Sequence, residues 1–190
     1  MRLERFAISF SCLRMHRKSG PFQGISSSIL TKEPADIRDL FGNLYLFFDG
    51  KLLDFDEAEG FPVVGSKVTY PVCSFYYLFF GLASGIVNSK TETPQQVYID
   101  RTMDAPELWF KKVGNSVAIW FVGGEGTVSS GKRFGDHECD WVEFSSAALA
   151  AAEKFVNEAK IVVPGIENNP EFAELSAKVA KLKLLKGRTD

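Results

Sequence analysis

The sequence predicts an α+β domain, a mostly antiparallel sheet with one buried helix and two C-terminal helices packed on it. Three observations carry this. Alternating apolar residues around tight-turn signals occupy much of residues 1–144. A charge-free apolar stretch with helical spacing, near 72–88, interrupts them. Residues 145–187 then show helical periodicity alone. Strands first and helices last, without strict βα alternation, argue against a parallel nucleotide-binding sheet. The 190 residues fit one domain spanning 1–190. A domain of this size buries roughly 70% of its unfolded surface and needs no disulfide or metal to hold a core.

A first strand is expected over Glu4–Leu13, where Phe6, Ile8, Phe10 and Cys12 alternate with smaller or polar residues. No small-residue cleavage motif follows, so the early arginines do not mark a signal peptide. A further strand is expected near Gly24–Leu30. The clearest hairpin is 41–55: Leu44, Leu46 and Phe48 alternate before Asp49-Gly50, which supplies the positive φ angles of a two-residue turn. Residues 57–66, with Gly60, Pro62 and Gly65, read as a loop. Ser74 fits a helix cap, with Phe75, Leu78, Phe79 and Leu82 at helical spacing behind it. Gly81 and Gly85 suit close packing on a sheet. The apolar part of this window is too short and too interrupted to span a membrane.

A meander follows. Leu108–Val113 and Val117–Val122 flank Gly114-Asn115-Ser116, read as a three-residue hairpin loop. Both faces of 117–122 are apolar, as in a central strand. Residues 123–135 read as a glycine-rich loop and 139–144 as a strand. Ser145 is expected to cap a helix ending at Pro164-Gly165, with Phe144 and Leu149 as a hydrophobic staple. Asn169 caps a second helix with Pro170 in its first turn, acidic residues at its start and lysines at its end.

Composition narrows the function classes. The net charge is −2, which gives no global positive field for nucleic acid or an anionic membrane. Cys12, Cys73 and Cys139 are few, odd in number and scattered, a pattern of a reducing, cytoplasmic setting rather than a disulfide framework. Gly126–Arg133 approaches a phosphate-binding loop, but Arg133 stands where Ser or Thr must hold magnesium. Residues 136–140 gather Asp136, His137, Glu138, Cys139 and Asp140. On a strand, His137 and Cys139 would face one side and the acids the other, too few convergent ligands for zinc. Asp54, Asp56, Glu57 and Glu59 fail as a calcium loop, with Ala58 and Glu59 at positions that require Asp or Asn and then Gly. No catalytic set, metal site or cofactor is assigned.

Charge is unevenly spread. Residues 1–30 hold five basic groups against one acidic, and residues 31–60 hold three basic against eight acidic. The acidic segment Asp54, Asp56, Glu57 and Glu59, joined by Asp136, Glu138 and Asp140, is the expected contact region for a basic protein partner. Trp109, Trp120 and Trp141 are all placed on strands, as core residues or as anchors on an exposed sheet face.

Leu108–Phe121, a tryptophan-bearing hairpin arm and its return, and Trp141–Phe155, a short strand running into a helix with an F-S-x-x-x-L-x-x-A-x-x-F rhythm, give the resemblance that the chain has. Over about residues 95–165 it resembles immunity proteins of bacterial polymorphic and contact-dependent toxin systems. That resemblance implies cytoplasmic, non-catalytic neutralisation of a cognate toxin domain by direct binding. The alternative is a small hydrolase or ligand-binding domain with a pocket over the sheet.

Overall fold

The structure, a computed structural model, describes residues 3–15, 37–56, 61–64, 70–72, 74–89, 92–100, 105–125, 127 and 129–186; for 12–15, 39, 54–56, 61–64 and 70–72 it describes the backbone alone. The strand expected near 24–30, Glu57, Glu59 and Cys73 lie outside these residues.

The fold is α+β, with two antiparallel sheets and three helices. The first sheet holds β1 (Phe6–Met15), β2 (Leu40–Phe48), β3 (Lys51–Asp56) and β4 (Phe61–Val64) in that order, with β5 (Tyr70–Val72) paired to β2. The second is β6 (Gln95–Tyr98), β7 (Glu107–Val113), β8 (Ser116–Val122) and β9 (Arg133–Asp140), again in sequence order. The helices are α1 (Phe75–Asn88), α2 (Trp141–Val162) and α3 (Pro170–Lys186).

The Asp49-Gly50 hairpin forms as read, with φ of 51° and 74° and Phe48 opposite Lys51. The loop at Gly114 has two residues, not three: Val113 pairs with Ser116, and only Gly114 takes positive φ. That is the turn with Gly first, which matches the strand twist as well as Asn-Gly does. Residues 61–64, expected as loop, form β4, because Asp56 pairs with Phe61 and turns the chain back on β3. Pro62 is tolerated because β4 is an edge strand.

The largest correction is at residues 139–145. The strand ends at Asp140 and the helix begins at Trp141, four residues before the expected cap at Ser145. Asp140 is the cap, its carboxylate accepting the backbone N–H of Glu143 at 2.9 Å. Trp141 is therefore helical, and Phe144 is a buried helix residue against Phe6 and Phe110 rather than a staple. Correspondingly, β9 starts at Arg133, inside the expected glycine loop.

The expected single sheet is two, joined at a seam. Glu4, just before β1, makes an isolated parallel bridge to Cys139, and its N–H donates to the Glu138 carbonyl at 2.7 Å. The helices cover one side. Phe155 of α2 sits among Phe10, Phe75 and Phe79, with centroids 5.0–6.2 Å away. Gly81 and Gly85 let α1 lie on the second sheet: a Cβ at Gly81 would reach Val97 at 2.8 Å, and one at Gly85 would reach Phe110 at 2.7 Å. One continuous core runs through both sheets and all three helices.

Candidate binding face and aromatic pocket

The inner face of the second sheet buries Leu108, Phe110, Val117, Ile119 and Phe121. The pleat turns the alternate residues outward. Trp109 pairs with Trp120 across β7 and β8 on this outer face, the rings 6.2 Å apart and 17° from parallel. Arg133 of β9, itself exposed, lays its guanidinium 4.3 Å above the Trp120 ring, which it and Trp109 help to leave only 9% exposed, a cation–π contact worth about 0.5–1 kcal/mol or more. Glu107 accepts the Trp109 indole N–H at 2.9 Å and fixes that ring's orientation. The product is a braced Trp-Trp-Arg platform on a strand scaffold.

Three of the acidic residues singled out in the sequence border this platform. Asp136 accepts from the Arg133 guanidinium at 3.0 Å. Glu138 lies opposite Ala118 and accepts the Ser116 hydroxyl at 2.8 Å. Asp140 is the α2 cap. Alternation along β9 sets all three on the outer side, each with an internal donor. Asp54 and Asp56 stand in β3, opposite Val63 and Phe61, and the side chains of both lie outside the described residues.

His137 and Cys139 share the inner side, as alternation requires. The His137 ring stacks on Phe48 at 3.7 Å, and its Nδ1 lies 2.6 Å from the Glu4 carboxylate. Its Nε2 is buried beside Gly135, without a hydrogen-bond partner among the described residues. Glu4 was not readable as a partner, because 133 residues separate it from His137. Cys139 is fully buried, and burial first, then Glu4, Glu143 and other carboxylates, push its thiol up to about 12. A thiol so placed is a core residue, not a nucleophile. Its folded pKa lies above the unfolded 9.0. Its contribution to stability is therefore complete below about pH 9 and is lost as pH rises towards 12. In a Cys12→Ser/Cys73→Ser background, Cys139 should resist a thiol reagent at about pH 8 and react fully in denaturant. Fast labelling of the native chain would contradict this placement.

After Lys132 the chain enters β9, where a phosphate-binding loop would need a helix N-terminus. Among the described residues, no group of three or more His, Cys, Asp or Glu is placed to hold a metal ion. No described helix is long and apolar enough to cross a membrane.

A cavity of about 500 Å³ opens between α1, the β6 edge and the start of α3. Its walls carry Tyr76, Tyr77, Phe80 and Tyr98, together with Ser84, Asn88, Gln95 and Gln96. Among the described lining residues Glu171 is the only carboxylate, and it is tied to Arg38 at 3.3 Å. Burial, then Glu171 and Glu174, push the Tyr76 hydroxyl up to about 12. The lining is thus aromatic and amide-rich, held neutral, and unfavourable to an anion. Among the described residues it brings together no carboxylate pair or histidine for acid–base chemistry.

Compared with known proteins, the chain matches no family model, no curated protein and no solved structure.

Proposed function

We propose that this chain is a non-catalytic binding protein that engages a protein partner through the outer face of its second sheet. The Trp109/Trp120/Arg133 platform carries this reading, since Trp and Arg are the residues most enriched at binding hot spots. Its acidic border, Asp136, Glu138 and Asp140, suits a basic partner, and the acidic segment Asp54, Asp56, Glu57 and Glu59 is the further contact that the sequence suggests. The resemblance gives the specific form of the proposal: a cytoplasmic immunity protein that neutralises a cognate bacterial toxin domain by direct binding. The segments that carry it lie in β7, β8 and α2, and the first of them contains Trp109 and Trp120 of the platform.

The test is association kinetics with the toxin domain encoded by the neighbouring gene. Trp109→Ala should speed dissociation by about tenfold or more, the loss of a desolvated anchor. Asp56→Lys/Glu57→Lys should instead slow association and flatten its salt dependence, because rim charges act on encounter. No binding by the wild type, together with hydrolytic activity in a substrate screen, would move the assignment to the enzyme class. Unchanged dissociation for Trp109→Ala would remove the platform from the interface.

A further inference from the structure

The sheet edges in this molecule are not treated alike. An open edge offers unpaired N–H and C=O groups to any extended chain, and natural proteins blunt such edges with proline, lysine or cover. Here β4 carries Pro62 and β5 carries Pro71. β1 is also an edge strand, but its start is tied down through Glu4, whose N–H donates to the Glu138 carbonyl, and Lys154 of α2 lies over it and donates to the Phe10 carbonyl at 2.9 Å. The edge strand β6, Gln-Gln-Val-Tyr, has no proline, no lysine and no bulge.

Register shows which of its groups face outward. Val113 and Ser116 close a two-residue hairpin and so exchange both hydrogen bonds, and bonded partners alternate from there along β7. Phe110 and Leu108 therefore bond to their β6 partners Gln95 and Val97. The N–H and C=O of Gln96 and Tyr98 point away from the sheet. The 500 Å³ aromatic cavity lies beside them, lined by both residues.

We infer that the β6 edge is a second binding site, which takes an extended peptide of a partner protein as an added strand and receives one of its large uncharged side chains in the cavity. Main-chain bonds to Gln96 and Tyr98 give affinity, and the cavity gives selectivity, as in other strand-addition sites. The neutral aromatic and amide lining disfavours an acidic side chain. A second copy fits poorly, since two four-residue strands paired about a two-fold cover far less than the roughly 1,000 Å² of a specific interface. A peptide reaches edge and cavity together. Gln96 and Tyr98 stand opposite Trp109 and Glu107, so the site adjoins the tryptophan platform, but its main-chain bonds and its cavity do not use the platform's rings.

The probe is a phage-displayed library of linear random peptides panned on the immobilised full-length chain, with the best binder synthesised for titration. Two variants test the two halves of the site. Gln96→Pro removes only an outward N–H, the device that β4 and β5 already carry, and so spares the fold. Asn88→Trp fills the cavity from an exposed helix position. Each should weaken the peptide by about tenfold, and bound peptide should slow amide exchange at Gln96 and Tyr98. A binder indifferent to both variants would overturn the inference, as would a library that yields none. So would a concentration-dependent dimer of the free chain that Gln96→Pro abolishes, since the edge would then belong to a second copy.

Discussion

Replacing Phe155 with Ala should destabilise the protein by about 3–5 kcal/mol, the range for emptying a large aromatic site. The ring is fully buried and within 6.2 Å of Phe10, Phe75 and Phe79, so it joins β1, α1 and α2. Three neighbouring rings, one on β1 and two on α1, cannot all collapse into the gap, which places the variant in the upper half of that range. For a chain of this length the melting temperature should fall by roughly 6–20 °C. A scanning-calorimetry midpoint within a degree or two of wild type would show that α2 is peripheral to the core. Phe155→Leu should recover much of the loss, because it restores volume without the ring contacts.

Gly123→Ala should cost about 2–3 kcal/mol although it adds a single methyl group. A Cβ on Gly123 would sit 2.1 Å from the Ser129 carbonyl oxygen and 2.6 Å from its carbon. The obstacle is backbone, and that backbone is bound: the Ser129 carbonyl accepts from Lys132, while Gly123 bonds Lys132 and Gly131 through its own N–H and C=O. Relief requires opening the 123–132 loop where it feeds β9. By contrast, Gly131→Ala meets nothing within 4 Å and should suffer only the strain of its positive φ. Urea denaturation of the pair separates the two causes. Equal stability of Gly123→Ala and wild type would mean that this loop does not pack as described.

Patterns local to one element were legible in the sequence, and those that depend on a distant partner were not. Asp49-Gly50, the apolar run of 117–122 and the Asn169-Pro170 start each declare themselves within a few residues, and each stands where it was read. Asn169 accepts the N–H groups of Glu171 and Phe172 at 2.9 and 3.0 Å. The 139–145 boundary failed because two signals compete there. Cys139 and Trp141 alternate as in a strand, while Asp140-Trp-Val-Glu143 is an acid-first cap followed by Phe144 and Ala148 at helical spacing. The helix prevails because Phe144 and Ala148 both reach the core. The division into two sheets could not be read, since it rests on where Glu4 meets Cys139. Of the candidate face, Trp109, Trp120 and the β9 carboxylates were visible as chemistry. In the sequence Arg133 reads only as a residue out of place in a phosphate loop, because its position over Trp120 comes from the strand pairing. The open β6 edge was invisible: an edge is defined by what fails to lie next to it.

The seam between the sheets also sets the order in which this chain can mature. Glu4 leaves the ribosome 133 residues ahead of the His137 ring that its carboxylate holds, and its backbone partner Glu138 follows that ring. Lys154, which satisfies the Phe10 carbonyl, comes later still. Throughout that interval the outer side of β1 stays uncovered on the nascent chain, and closing it spans a loop longer than most two-state proteins ever close. Folding should therefore finish in a slow last step that docks β9 and α2 together, and fragments that stop short of residue 138 should present a naked strand and aggregate.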